Sequence, residues 1–180
     1  MRNWLLWLSL DSLVSLYPLW IIRARVECLS KHTRFVAKFR KGEYTAIDDD
    51  LLQVKHSSEA KNSNILAILE VKPRQRTEMM QRIQMQESAE MAAWILTTSP
   101  ELSAFNNYCL LVAQDRHEIY LVYASYRCDY LRYLKGDGPV TPKAFLTMRA
   151  NGPLDTKNAD YMEGLAIIIV AMILTVKRKL

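Results

Sequence analysis

Apolar and polar positions change their rhythm several times along this 180-residue chain, and each change marks an element. From Asp11 to about Ser30 the spacing suits a helix, with Asp11 or Ser12 as cap and Pro18 as a kink or restart. From Arg34 to Phe39 the period becomes two: Phe35, Ala37 and Phe39 share one face, Arg34, Val36 and Lys38 the other, which predicts a strand. Lys41-Gly42 reads as a hairpin turn, Tyr44 to Lys55 as a second strand, and the polar stretch His56 to Ser63 as a loop. Asn64 to Lys72 is apolar on both faces and reads as a third, buried strand that Pro73 stops.

Glu78 to Leu96 contains no Gly or Pro and is rich in good helix formers. Met85, Ala89, Ala92, Ala93 and Leu96 form an apolar stripe at helical spacing, with Gln86 and Glu90 one turn apart beside it. Tyr108 to Ala113 and Glu118 to Ala124 read as a hairpin joined by Gln114-Asp115-Arg116-His117. Cys128 to Lys135 suits a short helix, 136–139 and 150–153 suit loops, and Asp155 or Thr156 caps a last helix to about Arg178. The pattern predicts an α/β domain with a mixed central sheet flanked by helices, spanning 1–180, with 1–25 as a loosely attached N-terminal helix.

Composition adjusts this picture only slightly. Half the residues are hydrophobic and 24% are charged, which excludes a disordered chain. The formal charge of +5 leans toward polyanionic partners. Arg23, Arg25, Lys31, Arg34, Lys38, Arg40 and Lys41 crowd one stretch against Glu27 alone; the plain reading is a solvated face. Cys28, Cys109 and Cys128 are widely spaced and read as reduced thiols of an intracellular protein, nuclear or cytoplasmic. His32, His56 and His117 are scattered and outline no zinc site.

Trp4 to Ile22 is apolar but interrupted, and Ile22-Arg23-Ala24-Arg25 makes a poor cleavage site. Leu165 to Val176 would cover ~18 Å as a helix, short of a hydrocarbon core of ~30 Å. Both read as buried helices rather than membrane spans.

Chemistry concentrates at the end of the third strand. Glu70 and Lys72 are two residues apart and so point to one face. Asp48-Asp49-Asp50 heads the strand-like run before it. One Asp with Glu70, and the carbonyl of Val71, would hold Mg²⁺ or Mn²⁺, since Mg²⁺ asks for only one or two carboxylates beside water and substrate oxygens. Lys72 would position or deprotonate an attacking water beside it. Asp49 is preferred as the ligand, with Asp48 and Asp50, which share the other face, as alternates.

The order Asp49, Glu70-Val71-Lys72, then a helix resembles the PD-(D/E)XK nuclease superfamily. Residues 69–73, 85–91, 112–120 and 152–156 look more specifically like the nuclease-like domains of fungal proteins without assigned roles, and the resemblance spans roughly residues 30 to 175. It implies a restriction-endonuclease-like αβββαβ core and metal-dependent cleavage of nucleic acid, DNA more than RNA, with no small-molecule cofactor.

By that resemblance Asp49, Glu70 and Lys72 are catalytic, and Gln86 matches a glutamine often found on the helix after the third strand; the basic residues Arg34, Lys38, Arg40, Arg74 and Arg76 are the candidates to meet nucleic acid. Glu27 is the acid available on the N-terminal helix. Three competing aspartates and the lack of a Pro before them depart from the superfamily pattern. That leaves a second reading, a catalytically silent domain that binds nucleic acid or a protein. Asp115 and His117 read as turn residues, and Tyr120, Tyr123, Tyr126, Tyr130 and Tyr133 as packing rather than base-stacking groups.

Overall fold

The computed structural model describes residues 24–56, 64–98, 108–139, 141–142 and 144–179. Among the described residues eight strands and three helices follow one another: β1 (Ala24–Leu29), β2 (Thr33–Phe39), β3 (Gly42–Asp48), β4 (Asp50–His56), β5 (Asn64–Lys72), a 3-10 turn at Arg76–Glu78, α1 (Met80–Thr98), β6 (Cys109–Asp115), β7 (Glu118–Ser125), α2 (Cys128–Lys135), β8 (Thr147–Asp155) and α3 (Ala159–Lys179). Six strands form one mixed sheet in the order β1-β4-β5-β6-β7-β8, and β2 pairs with β3 as a separate ribbon. Only β5 and β6 run parallel among these pairs, so the carboxyl ends of both reach the same edge.

Two apolar layers hold the sheet. On one face Leu51, Ile68, Leu111, Ala113 and Val122 pack under Met91, Trp94 and Ile95 of α1, with Phe35, Ala37 and Ala46 of the ribbon joining them. On the other, Leu52, Leu69, Leu110 and Leu121 pack with Leu165 and Ile169 of α3. The ribbon is tied to α1 by the Tyr44 hydroxyl, which donates to the Ala89 carbonyl at 2.6 Å. No described helix is long and apolar enough to cross a membrane.

Several expectations are corrected. Residues 24–29 form an edge strand paired with β4, not the end of a helix, and Glu27 sits on that strand. The expected helix over 11–23 and most of the 56–63 loop lie outside the described residues. The predicted second strand is two strands broken at Asp49, one in the ribbon and one in the sheet. The predicted loop at 150–153 lies inside β8. There Gly152 has φ 144, and a Cβ would stand 2.7 Å from the Ile119 carbonyl oxygen, so the close approach of β7 and β8 needs a glycine.

The stripe expected on α1 is also displaced. Met85 is 74% exposed, whereas Ile83, Glu87, Glu90, Met91, Ala93, Trp94 and Ile95 are buried. The inward face of α1 carries two glutamates, which an apolar template does not count as core.

Candidate metal centre

Three elements bring acids to one point. The first is β3: Asp48 follows Tyr44 and Ala46 at period two and continues the inward face of the ribbon. The second is β5. A bulge interrupts its ladder, because Leu52 pairs with Ala67 while Gln53 pairs with Ile65. Ile65 and Ile68 therefore both face α1, and Glu70 and Lys72 follow Ile68 on that side. The third is α1, where Gln86 and Glu90, one turn apart, lie above Glu70.

Oxygen atoms of Asp48, Glu70 and Glu90 all lie within 4.8 Å of one another. Gln86 Nε2 donates to Glu70 Oε1 at 2.6 Å and to Glu90 Oε1 at 2.7 Å. Lys72 Nζ is 3.5 Å from Glu70 Oε1. Asp48 is 0% exposed, and Glu70, Lys72 and Glu90 are also buried; Gln86 is an exposed residue and covers the two glutamates.

The electrostatics are those of an acid-rich, buried site. Both oxygens of Asp48, and one each of Glu70 and Glu90, are buried without a hydrogen-bond donor among the described residues. Burial first, then the neighbouring Glu70 and Asp49, pushes the Asp48 carboxyl up to about 7 against the pull of Lys72. Burial and Glu70 raise Glu90 to about 8. Glu70 is raised too, mainly by burial, with the Lys72 ammonium opposing.

These donors fit a hard divalent cation. They are all carboxylate oxygens, the type Mg²⁺, Mn²⁺ and Ca²⁺ prefer, and the fully buried Asp48 carboxylate has no hydrogen-bond partner among the described residues. A hexacoordinate Mg²⁺ with bonds of ~2.1 Å spaces its oxygens by about 3 to 4 Å, so a spread within 4.8 Å needs only a small side-chain adjustment.

Asp49, the preferred ligand from sequence, is not among the three that converge. Its Oδ2 accepts the Val71 N–H at 3.0 Å, and its Oδ1 lies 3.5 Å from His32 Nδ1. Val71 lies in the paired part of β5 opposite Gln114. Glu70, Lys72 and Gln86 do meet. Glu90 enters the cluster although sequence reasoning left it as a neighbour of the stripe; its position one turn after Gln86 was the available signal.

Arg34 and Lys38 are exposed on β2, as are Arg40 at the ribbon turn and Arg74 after β5. Arg76 is a correction. It is buried, its guanidinium takes both Glu87 oxygens and Asp115 Oδ2, and it lies 4.2 Å over the Tyr120 ring, so it is not offered to a surface polyanion. Asp115, expected in a turn, closes β6 fully buried, and the turn itself is Arg116-His117.

No protein-family model, curated protein or solved structure matches the chain.

Proposed function

We propose that this protein is a metal-dependent phosphodiesterase of the PD-(D/E)XK type acting on nucleic acid. The observation that carries the reading is the buried meeting of Asp48, Glu70 and Glu90 with Lys72 at the end of a strand. The strand order adds support. With the ribbon set aside, β1, β4, β5, α1 and β6 run strand-strand-strand-helix-strand, with β5 and β6 parallel. Glu-x-Lys then falls at the end of the third core strand, as in the restriction-endonuclease-like core, while Asp48 closes the ribbon strand β3 and only Asp50 heads the second core strand.

Asp48, Glu70 and Glu90 would hold Mg²⁺ or Mn²⁺, which when bound neutralises phosphate charge and lowers the pKa of a water. Gln86 orients Glu70 and Glu90 through its two N–H groups. Lys72 Nζ is paired with Glu70 at 3.5 Å and has no other acceptor among the described residues, so it would be the group to meet a phosphate oxygen or the attacking water. Asp49, held by Val71 and His32, adds negative charge at the rim that favours a cation. Arg34, Lys38, Arg40 and Arg74 provide exposed positive charge for a polyanion, DNA ahead of RNA.

The purified protein should cut plasmid or single-stranded DNA only with divalent metal. Glu70→Ala and Lys72→Ala should each lower the rate by about 10²-fold or more. Cutting that either variant leaves unchanged would reject the site. The burial of all four central groups favours one rival, a silent nuclease-like module. It predicts salt-sensitive DNA binding with no carboxylate-dependent Mn²⁺ site in calorimetry.

A further inference from the structure

A second buried ionic group stands on the same face of the sheet, and the proposed chemistry does not use it. Arg76 lies in the short connection between Lys72, which closes β5, and α1. Its Nη groups hold both oxygens of Glu87 on α1, its Nε donates to Asp115 Oδ2 at the end of β6 at 2.8 Å, and its plane rests over Tyr120 on β7. One guanidinium thereby joins the connection, α1, β6 and β7. The edge is drawn together further by the Arg116 N–H, which donates to the Lys72 carbonyl at 2.9 Å.

Glu87 is one residue after Gln86 and three before Glu90, and all three sit in the middle of α1. A planar fork gripping both Glu87 oxygens restricts how α1 slides or turns over β5. Sliding or rotation of α1 would carry Gln86 and Glu90 away from Glu70, which lies on the sheet below. We infer that Arg76 is a positioning residue: through Glu87 and Asp115 it sets the height and rotation of α1 so that Glu90 and Gln86 close over Asp48 and Glu70. This rests on the metal-site reading above.

The test is Mn²⁺ titration by calorimetry beside thermal unfolding, on the full chain. Arg76→Lys keeps the charge and loses the fork, and it should weaken Mn²⁺ binding about 10-fold or more. Leu165→Ala, a cavity on the opposite face of the sheet, serves as a control of general destabilisation and should leave Mn²⁺ affinity within about twofold. If Arg76→Lys fails to fold, Glu87→Gln takes its place, since it keeps one acceptor and should show the same weakening. Wild-type affinity in the folded Arg76 or Glu87 variant would overturn the inference alone, as would equal weakening in Leu165→Ala. A wild-type protein that binds no Mn²⁺ would overturn the metal reading and this inference with it.

Discussion

Asp48 and Asp49 are adjacent acids with opposite fates. Period-two geometry turns Asp48 inward with Ala46, fully buried and without a donor, and leaves Asp49 half-exposed where Val71 and His32 take its oxygens. Under the proposed metal reading, one step along the backbone thus decides which aspartate would be the ligand. Asp48→Asn should abolish carboxylate-dependent Mn²⁺ binding, whereas Asp49→Asn should weaken it only several-fold through lost long-range charge. Calorimetry on the two variants checks this, and equal losses would return Asp49 to the centre. The sequence already placed Asp48 on one face and Asp49 on the other. It did not show which face was inward, because the strand break at Asp49 assigns the two residues to different environments.

At the scale of elements, α1 is the instructive case. Its existence was plain from composition, but its buried face was not. Met85 completed a tidy apolar stripe and lies in solvent; Glu87 and Glu90 interrupted the alternative stripe and are buried. Burial of an acid is tolerated where a partner compensates it: Glu87 is held by Arg76 from outside the helix, and Glu90 by Gln86 one turn before it. Ile83→Ala should therefore lose about 2 to 5 kcal/mol and Met85→Ala less than about 0.5 kcal/mol, measured by urea unfolding.

The bulge in β5 had a similar effect on legibility. Counting alternation from Ile65 sets Glu70 opposite to it, yet both face α1, because one extra residue opposes β4. Glu70 and Lys72 remained readable as a pair because they lie beyond the bulge. The hairpin of β6 and β7 and the strand at β2 were readable because local spacing suffices for them. The separation of the ribbon from the sheet was not, since pairing between distant strands leaves no local trace.

For the whole molecule, the raised carboxyls link folding to pH. Asp48 and Glu90 bind protons more tightly in the folded chain than ordinary carboxyls near pH 4 do. Their favourable contribution is complete below about pH 4, declines above it, and is gone once the pH has risen past about 7 for Asp48 and about 8 for Glu90. Urea midpoints should accordingly fall from about pH 4 and level off above about pH 8. Mn²⁺ binds the charged forms and should reverse that slope, adding about 2.7 kcal/mol at a hundredfold excess over Kd. A midpoint independent of both pH and Mn²⁺ would contradict the linkage.

The amide of Gln86 lies between two glutamate oxygens that otherwise compete for positive charge. Lysine at that position would provide a covalently tethered counter-ion. Gln86→Lys should raise the melting temperature at neutral pH, flatten its dependence on added divalent salt and silence any hydrolysis. One substitution would then turn the pocket that the proposed metal reading fills with a cation into a self-sufficient structural knot.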